Sequence, residues 1–153
     1  MLFRSPVLTT ESNARNARPY LYEVSADDWL SSHALQEEVF GPLGLLVHAR
    51  DFTQMEQIAH ALEGQLTTCL HVDPADYPQA QALMPVLERK CGRILANGFP
   101  TGVEVADAMV HGGPYPASTN FGSTSVGTMA IRRFLRPICY QNLPAALLPA
   151  DLV

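Results

Sequence analysis

Between residues 44 and 96 the chain alternates strand-like and helix-like segments, and this alternation limits the folds open to it. Gly44-Leu45-Leu46-Val47 reads as a strand by its branched, apolar content. In 51–63, Phe52, Met55, Ile58, Ala59 and Leu62 recur at three- and four-residue spacing, which predicts an amphipathic helix. Asp51 is placed to cap it and Gly64 to end it. Strand-like 66–72 follows, and Asp73-Pro74 opens a second helical run. There Tyr77, Ala80, Leu83, Met84, Leu87 and Lys90 share a face. Pro85 removes a backbone donor and is expected to kink or split that helix. Gly92 closes it before a strand at 93–96. Strands joined by single helices, with short links, predict an α/β fold with a parallel sheet flanked by helices.

The flanks extend this reading. Pro19 to Val24 reads as a strand, and Ser25 as the N-cap of a short helix opened by Asp27 and Asp28 and anchored by Trp29 and Leu30. Residues 1–19 lack a clear period and read as an irregular lead-in. Residues 98–128, rich in Gly, Pro, Ser and Thr, read as a long loop with a short helix near Val105–Val110. Ser125–Arg133 reads as a helix burying Met129, Ile131 and Phe134, and Phe134–Gln141 as a final strand broken by Pro137.

With 153 residues the chain has one domain's worth of length. Its net charge of −5, without a Lys/Arg run, argues against nucleic acid and against an anionic membrane surface. No apolar run is long enough to span a bilayer, and the first ten residues do not make a convincing signal peptide. Cys69, Cys91 and Cys139 lack CxxC spacing and fit reduced, packed thiols of a cytoplasmic protein. A reactive thiol needs nearby positive charge or a helix N-terminus: Cys69 shows neither, Cys91 has Lys90 beside it but sits at a helix C-terminus, which disfavours a thiolate, and Cys139 lies in the last strand as packing. His33, His48, His60, His71 and His111 form no metal-ligand pattern with them, so no metal site is expected.

The segment Glu37-Glu38-Val39-Phe40-Gly41-Pro42 carries the chemistry. On an extended backbone Glu38 and Phe40 point to one side, where a carboxylate and a ring suit a ligand bearing hydroxyls and a flat heterocycle. A nucleotide cofactor is such a ligand; a surface acidic pair beside a core phenylalanine is the plainer alternative. The segment resembles the Glu-Glu-x-Phe-Gly-Pro stretch of the aldehyde dehydrogenase superfamily. Further matches follow in order: Gly92-Arg93-Ile94-Leu95-Ala96-Asn97 resembles that family's Gly-x-x-x-x-Asn strand, and His111-Gly112-Gly113-Pro114-Tyr115-Pro116 stands where it carries a Pro-Phe-Gly-Gly loop. Phe99 to Val105, His111 to Ser118 and Arg132 to Pro137 narrow the resemblance to the 2-oxoglutarate-semialdehyde (2,5-dioxopentanoate) dehydrogenase branch.

The resemblance runs from about Ala17 onward and implies a C-terminal portion of such an enzyme. Residues 20–133 would be part of its catalytic domain and 134–153 a strand and tail for oligomerisation. Glu38 would hydrogen-bond the nicotinamide ribose hydroxyls of NAD or NADP, a role for a carboxylate that accepts two bonds at once. Phe40 would pack near the nicotinamide ring, and Glu37 would face away. Phe99 and Thr101 would line the mouth of an aldehyde tunnel or form an ordinary surface loop. His111, beside paired glycines, would touch substrate or sit in a plain tight turn. Arg132, Arg133 and Arg136 would meet an acidic substrate or, more in keeping with their place beside the last strand, a second subunit. No catalytic residue is assigned: the nucleophilic cysteine, the general base and the dinucleotide domain of the family have no counterpart here. The isolated chain is therefore expected to be inactive, with a homo-oligomeric copy or the N-terminal part of the enzyme as partner. The alternative is a truncated paralogue that serves as a non-catalytic interaction module.

Overall fold

The computed structural model describes residues 5–9, 11, 13, 15–100 and 102–152. Its elements run β1 (Ser5–Leu8), β2 (Tyr20–Ser25), α1 (Ala26–Ser31), β3 (Leu43–His48), α2 (Phe52–Ala61), β4 (Gln65–Leu70), α3 (Tyr77–Lys90) and β5 (Cys91–Ala96). Short 3-10 turns fill in at His33–Leu35, Pro74–Asp76 and Thr128–Phe134 and in the tail. The class is mixed α/β, as the alternation predicts, but the strands form two sheets rather than one. In the first, β1 runs antiparallel to β2, which runs parallel to β3. In the second, β4 and β5 run parallel, joined by α3. β1 corrects the irregular lead-in expected before residue 20: its four residues gain a ladder partner in β2 that local pattern does not reveal.

The caps form where the sequence places them. The Ser25 hydroxyl accepts the Asp28 N–H at the start of α1, and the Asp51 carboxylate accepts the Gln54 N–H at 2.8 Å at the start of α2. α2 then serves both sheets. Ile58, Ala61 and Leu62 pack with Val24, Trp29 and Leu35 under the first sheet. Ala59 and Phe52 pack with Leu83, Val86 and Leu87 of α3 under the second. Met55 and Tyr77, read as members of apolar faces, are instead exposed. α3 continues through Pro85, which lies on its exposed side. Losing one ladder bond there does not split a helix whose opposite face is anchored by three buried side chains.

Two glycines read as helix stops have another use. α2 ends at Ala61, before Gly64, and β5 starts directly after α3, so Gly92 lies within a strand. A Cβ on Gly64 would fall 2.1 Å from the Pro114 carbonyl oxygen, and one on Gly92 would fall 2.0 Å from that of Gly112. Both are places where the chain at 112–115 lies directly on the N-terminal ends of β4 and β5.

Beyond Asn97 the described residues hold 3-10 turns but no strand or α-helix. The short helix expected near Val105–Val110 is a turn, and the one expected over Ser125–Arg133 is the 3-10 segment Thr128–Phe134, with Ile131 and Phe134 exposed rather than buried. The final strand expected over Phe134–Gln141 is not assigned: Leu135 has extended dihedrals, but the segment has no ladder partner among the described residues. An extended segment becomes a strand only when a neighbour completes its hydrogen bonds. No helix among the described residues is long and apolar enough to cross a membrane.

Candidate functional site

The gap between the two sheets is the most prominent feature beside the Glu38 segment. β3 and β4 are edge strands that do not pair with each other. Between them lies a groove of about 860 Å³, walled by Leu43 and Leu45 of β3 and Gln65, Leu66 and Thr67 of β4. Its rim is the irregular segment after the first 3-10 turn, which carries Glu37, Glu38, Val39 and Phe40. Leu35, buried in the first core, anchors the start of that segment, and Gln36 ties it down by donating from Nε2 to the Trp29 carbonyl at 3.0 Å. Downstream, the Leu43 N–H bonds the Gly41 carbonyl at 2.8 Å where the chain turns into β3.

Glu38 and Phe40 thus line one groove. Phe40 is 98% exposed, so it is not the core phenylalanine of the plainer alternative. Glu37 also borders the groove, and its carboxylate lies 3.3 Å from His33 Nδ1, with both side chains solvated. A strictly two-sided segment would turn Glu37 and Val39 away; residues 38–40 are not in a strand, and the alternation is incomplete.

His111 sits on the far side of a shared wall. Leu66 and Ala117 border both the large groove and a smaller one of about 270 Å³ that contains His111 and Arg133. The His111 backbone is fixed at both ends. Its N–H donates to Thr124 Oγ1 at 2.9 Å, and its carbonyl accepts the Ser125 N–H at 3.1 Å and the Ser125 hydroxyl at 2.9 Å. Phe99 is elsewhere. It follows the C-terminal end of β5 and meets the His71 ring at 5.3 Å between centroids. The 112–115 segment rests on the opposite, N-terminal ends of β4 and β5, and six-residue strands are about 20 Å long. The expected substrate set of Phe99 and His111 is therefore divided between the two ends of one sheet. Thr101, the third member, lies outside the described residues.

Two residues of the 92–97 segment have supporting contacts that the sequence does not reveal. Asn97, in a left-handed conformation, clasps the ends of β4 and β5: its side chain accepts the Val72 N–H at 2.8 Å and donates to the Val72 carbonyl at 2.9 Å. Arg93 on β5 donates from Nη1 to the Gly102 carbonyl at 2.8 Å, tethering the loop that follows Phe99. An arginine inside a strand that leads to a Gly-Pro-rich loop is the available clue to such a tether.

Behind the 112–115 segment a third cavity, of about 620 Å³, is bordered by Cys91, Glu88, Asp107 and Arg132. Cys91 is buried, and its Sγ–H donates to the Leu87 carbonyl at 3.3 Å at the C-terminal end of α3. That contact suits a packed thiol, not a nucleophile. Cys69 is half-buried and Cys139 exposed. No three His, Cys, Asp or Glu side chains converge among the described residues.

No family model matches the chain. Among characterised proteins it is 58% identical over 132 residues to alpha-ketoglutaric semialdehyde dehydrogenase 2 of Azospirillum brasilense, a span of 86% of this chain and 25% of that protein. It is 51% identical over 134 residues to alpha-ketoglutaric semialdehyde dehydrogenase of Acinetobacter baylyi, 87% of this chain and 26% of that one. The chain thus spans about a quarter of the length of these relatives, and over that quarter it is homologous to alpha-ketoglutaric semialdehyde dehydrogenase, which relates it to the aldehyde dehydrogenase family.

Proposed function

We propose that this chain supplies the C-terminal portion of an NAD(P)-dependent dehydrogenase that oxidises a semialdehyde such as 2-oxoglutarate semialdehyde to the acid, and that it carries half of the nicotinamide site. One observation supports this most: Phe40, 98% exposed, and Glu38 border the same groove between two strand edges that do not pair with each other. A ring left in water is an unmet opportunity for stacking, worth about 0.5–1.5 kcal/mol beyond burial when a flat partner covers it. A solvated carboxylate two residues away accepts a pair of ribose hydroxyls. These two side chains fit the ribose and ring of a nicotinamide dinucleotide, which when bound accepts hydride from the substrate carbon.

The chain's own share of the chemistry is positional. Glu38 would hold the ribose hydroxyls and Phe40 would cover the nicotinamide ring, while Leu66 with Ala117 forms the wall toward His111. The covalent step needs an activated thiol. Cys91 is committed to the Leu87 carbonyl, and neither Cys69 nor Cys139 borders the Glu38 groove. Turnover therefore requires residues contributed from outside the 153 of this chain.

The test is an assay of reduced-nicotinamide formation from the semialdehyde. The purified chain alone is expected to give none. Mixed with the portion of the Azospirillum relative that this chain does not match, it is expected to give turnover. Robust turnover by the chain alone contradicts the reading.

A second reading has its own observation. Ile131, Phe134, Leu135, Ile138, Leu147 and Leu152 are all more than half exposed. Such a run suits a non-catalytic interaction module that associates with itself or with a full-length relative. Association without any gain of activity in the mixed assay favours that reading.

A further inference from the structure

We propose that the small groove beside His111 is a carboxylate-binding pocket whose counter-charge is Arg133. The three grooves differ in charge. The large one is bordered by Glu37, Glu38 and Glu63, and the one behind the 112–115 segment by Glu88 and Asp107 together with Arg132. The His111 groove has no Asp or Glu on its walls, although the protein carries a net charge of −5. Its walls present Arg133, Ser118, Thr119, Asn120 and Ser125 instead.

Arg133 makes no ion pair among the described residues. Its planar fork matches a carboxylate through two parallel hydrogen bonds. The His111 backbone is held by its bonds to Thr124 and Ser125, which fixes where the ring enters the groove. Nδ1 of that ring is sealed from solvent without a partner among the described residues, which leaves Nε2 as the atom available to a ligand oxygen. At about 270 Å³ the space admits a short aliphatic acid.

The carboxylate chemistry stands on this groove alone. Its identity as the acid end of a semialdehyde rests on the function proposed above. The wall shared with the Glu38 and Phe40 groove, Leu66 and Ala117, makes the two spaces neighbours. A substrate with its acid held by Arg133 would direct its other end toward the cofactor side.

The test is a titration of the purified chain with glutarate, followed by the NMR signal of the His111 ring. Neutral glutaramide and inorganic phosphate serve as comparison ligands. Glutarate is expected to shift the signal saturably, with glutaramide silent and phosphate weaker. Arg133→Gln, at an exposed position, is expected to weaken glutarate about tenfold, the scale of a lost charge-assisted pair. Arg89→Gln, at an exposed position of α3 outside the groove, is expected to leave binding unchanged. No shift with glutarate, a shift that survives Arg133→Gln, or equal binding of phosphate overturns the proposal. No dinucleotide is present in this experiment and Glu38 is untouched, so its failure leaves the cofactor half-site standing. Conversely, an inert Glu38 in the reconstituted enzyme would sink that half-site while glutarate binding remained.

Discussion

At the scale of single residues, Gln54 ties the start of α2 to α1. It is 2% exposed; its Oε1 accepts the Arg50 N–H at 2.9 Å and its Nε2 donates to Asp27 at 2.8 Å. Arg50 also pairs with Asp27 directly, but those side chains are about two-thirds exposed, and such pairs contribute little. Replacing the buried Gln54 with leucine removes the acceptor of the part-buried Arg50 N–H and the donor to Asp27, and urea unfolding should show a loss of about 1–3 kcal/mol. Arg50→Ala should lose less than about 1 kcal/mol. A larger loss for Arg50→Ala than for Gln54→Leu would reverse this ranking. That Glu38 and Phe40 border one space was legible in the sequence, because their two-residue spacing is a local pattern. Gln54 was not, since its bond to Asp27 reaches another helix 27 residues away and is invisible to periodicity. Asn97 shows both sides: its place at a strand end is readable, but its clasp on Val72, 25 residues away, belongs to the folded chain.

At the scale of elements, local chemistry read well and pairing read poorly. The Ser25 and Asp51 caps and the strand–helix alternation follow from residues close in sequence. β1, the separation of β3 from β4, and the unpaired segment after Phe134 depend on distant partners. Glycines mislead for the same reason: Gly64 and Gly92 look like helix stops but accommodate the 112–115 backbone. Gly92→Ala must move that backbone, because its Cβ would fall 2.0 Å from the Gly112 oxygen. Overpacking of this kind costs about 1–3 kcal/mol. Hydrogen exchange should show faster opening of residues 111–117 in this variant while α1 and α2 keep their protection. Unchanged exchange in that loop would contradict the described docking.

At the scale of the whole molecule, the two sheets leave strand edges facing a groove, and the tail leaves large apolar side chains in water. Both features are unsaturated surface that a partner can cover. The chain is thus expected to self-associate, and sedimentation should show species larger than a monomer. Replacing Phe134, Leu135 and Ile138 together with serine should shift the distribution toward monomer without unfolding either core, since none of the three packs in one. A wild-type chain that remains monomeric at high concentration would remove the tail from this role. The nicotinamide half-site proposed at Glu38 and Phe40 is measured by kcat/KM for the dinucleotide in the reconstituted assembly. Glu38→Gln keeps the side chain's size and loses the charge that binds two hydroxyls, so kcat/KM should fall about tenfold or more. A Glu38→Gln assembly as efficient as the unmodified one would contradict the assignment.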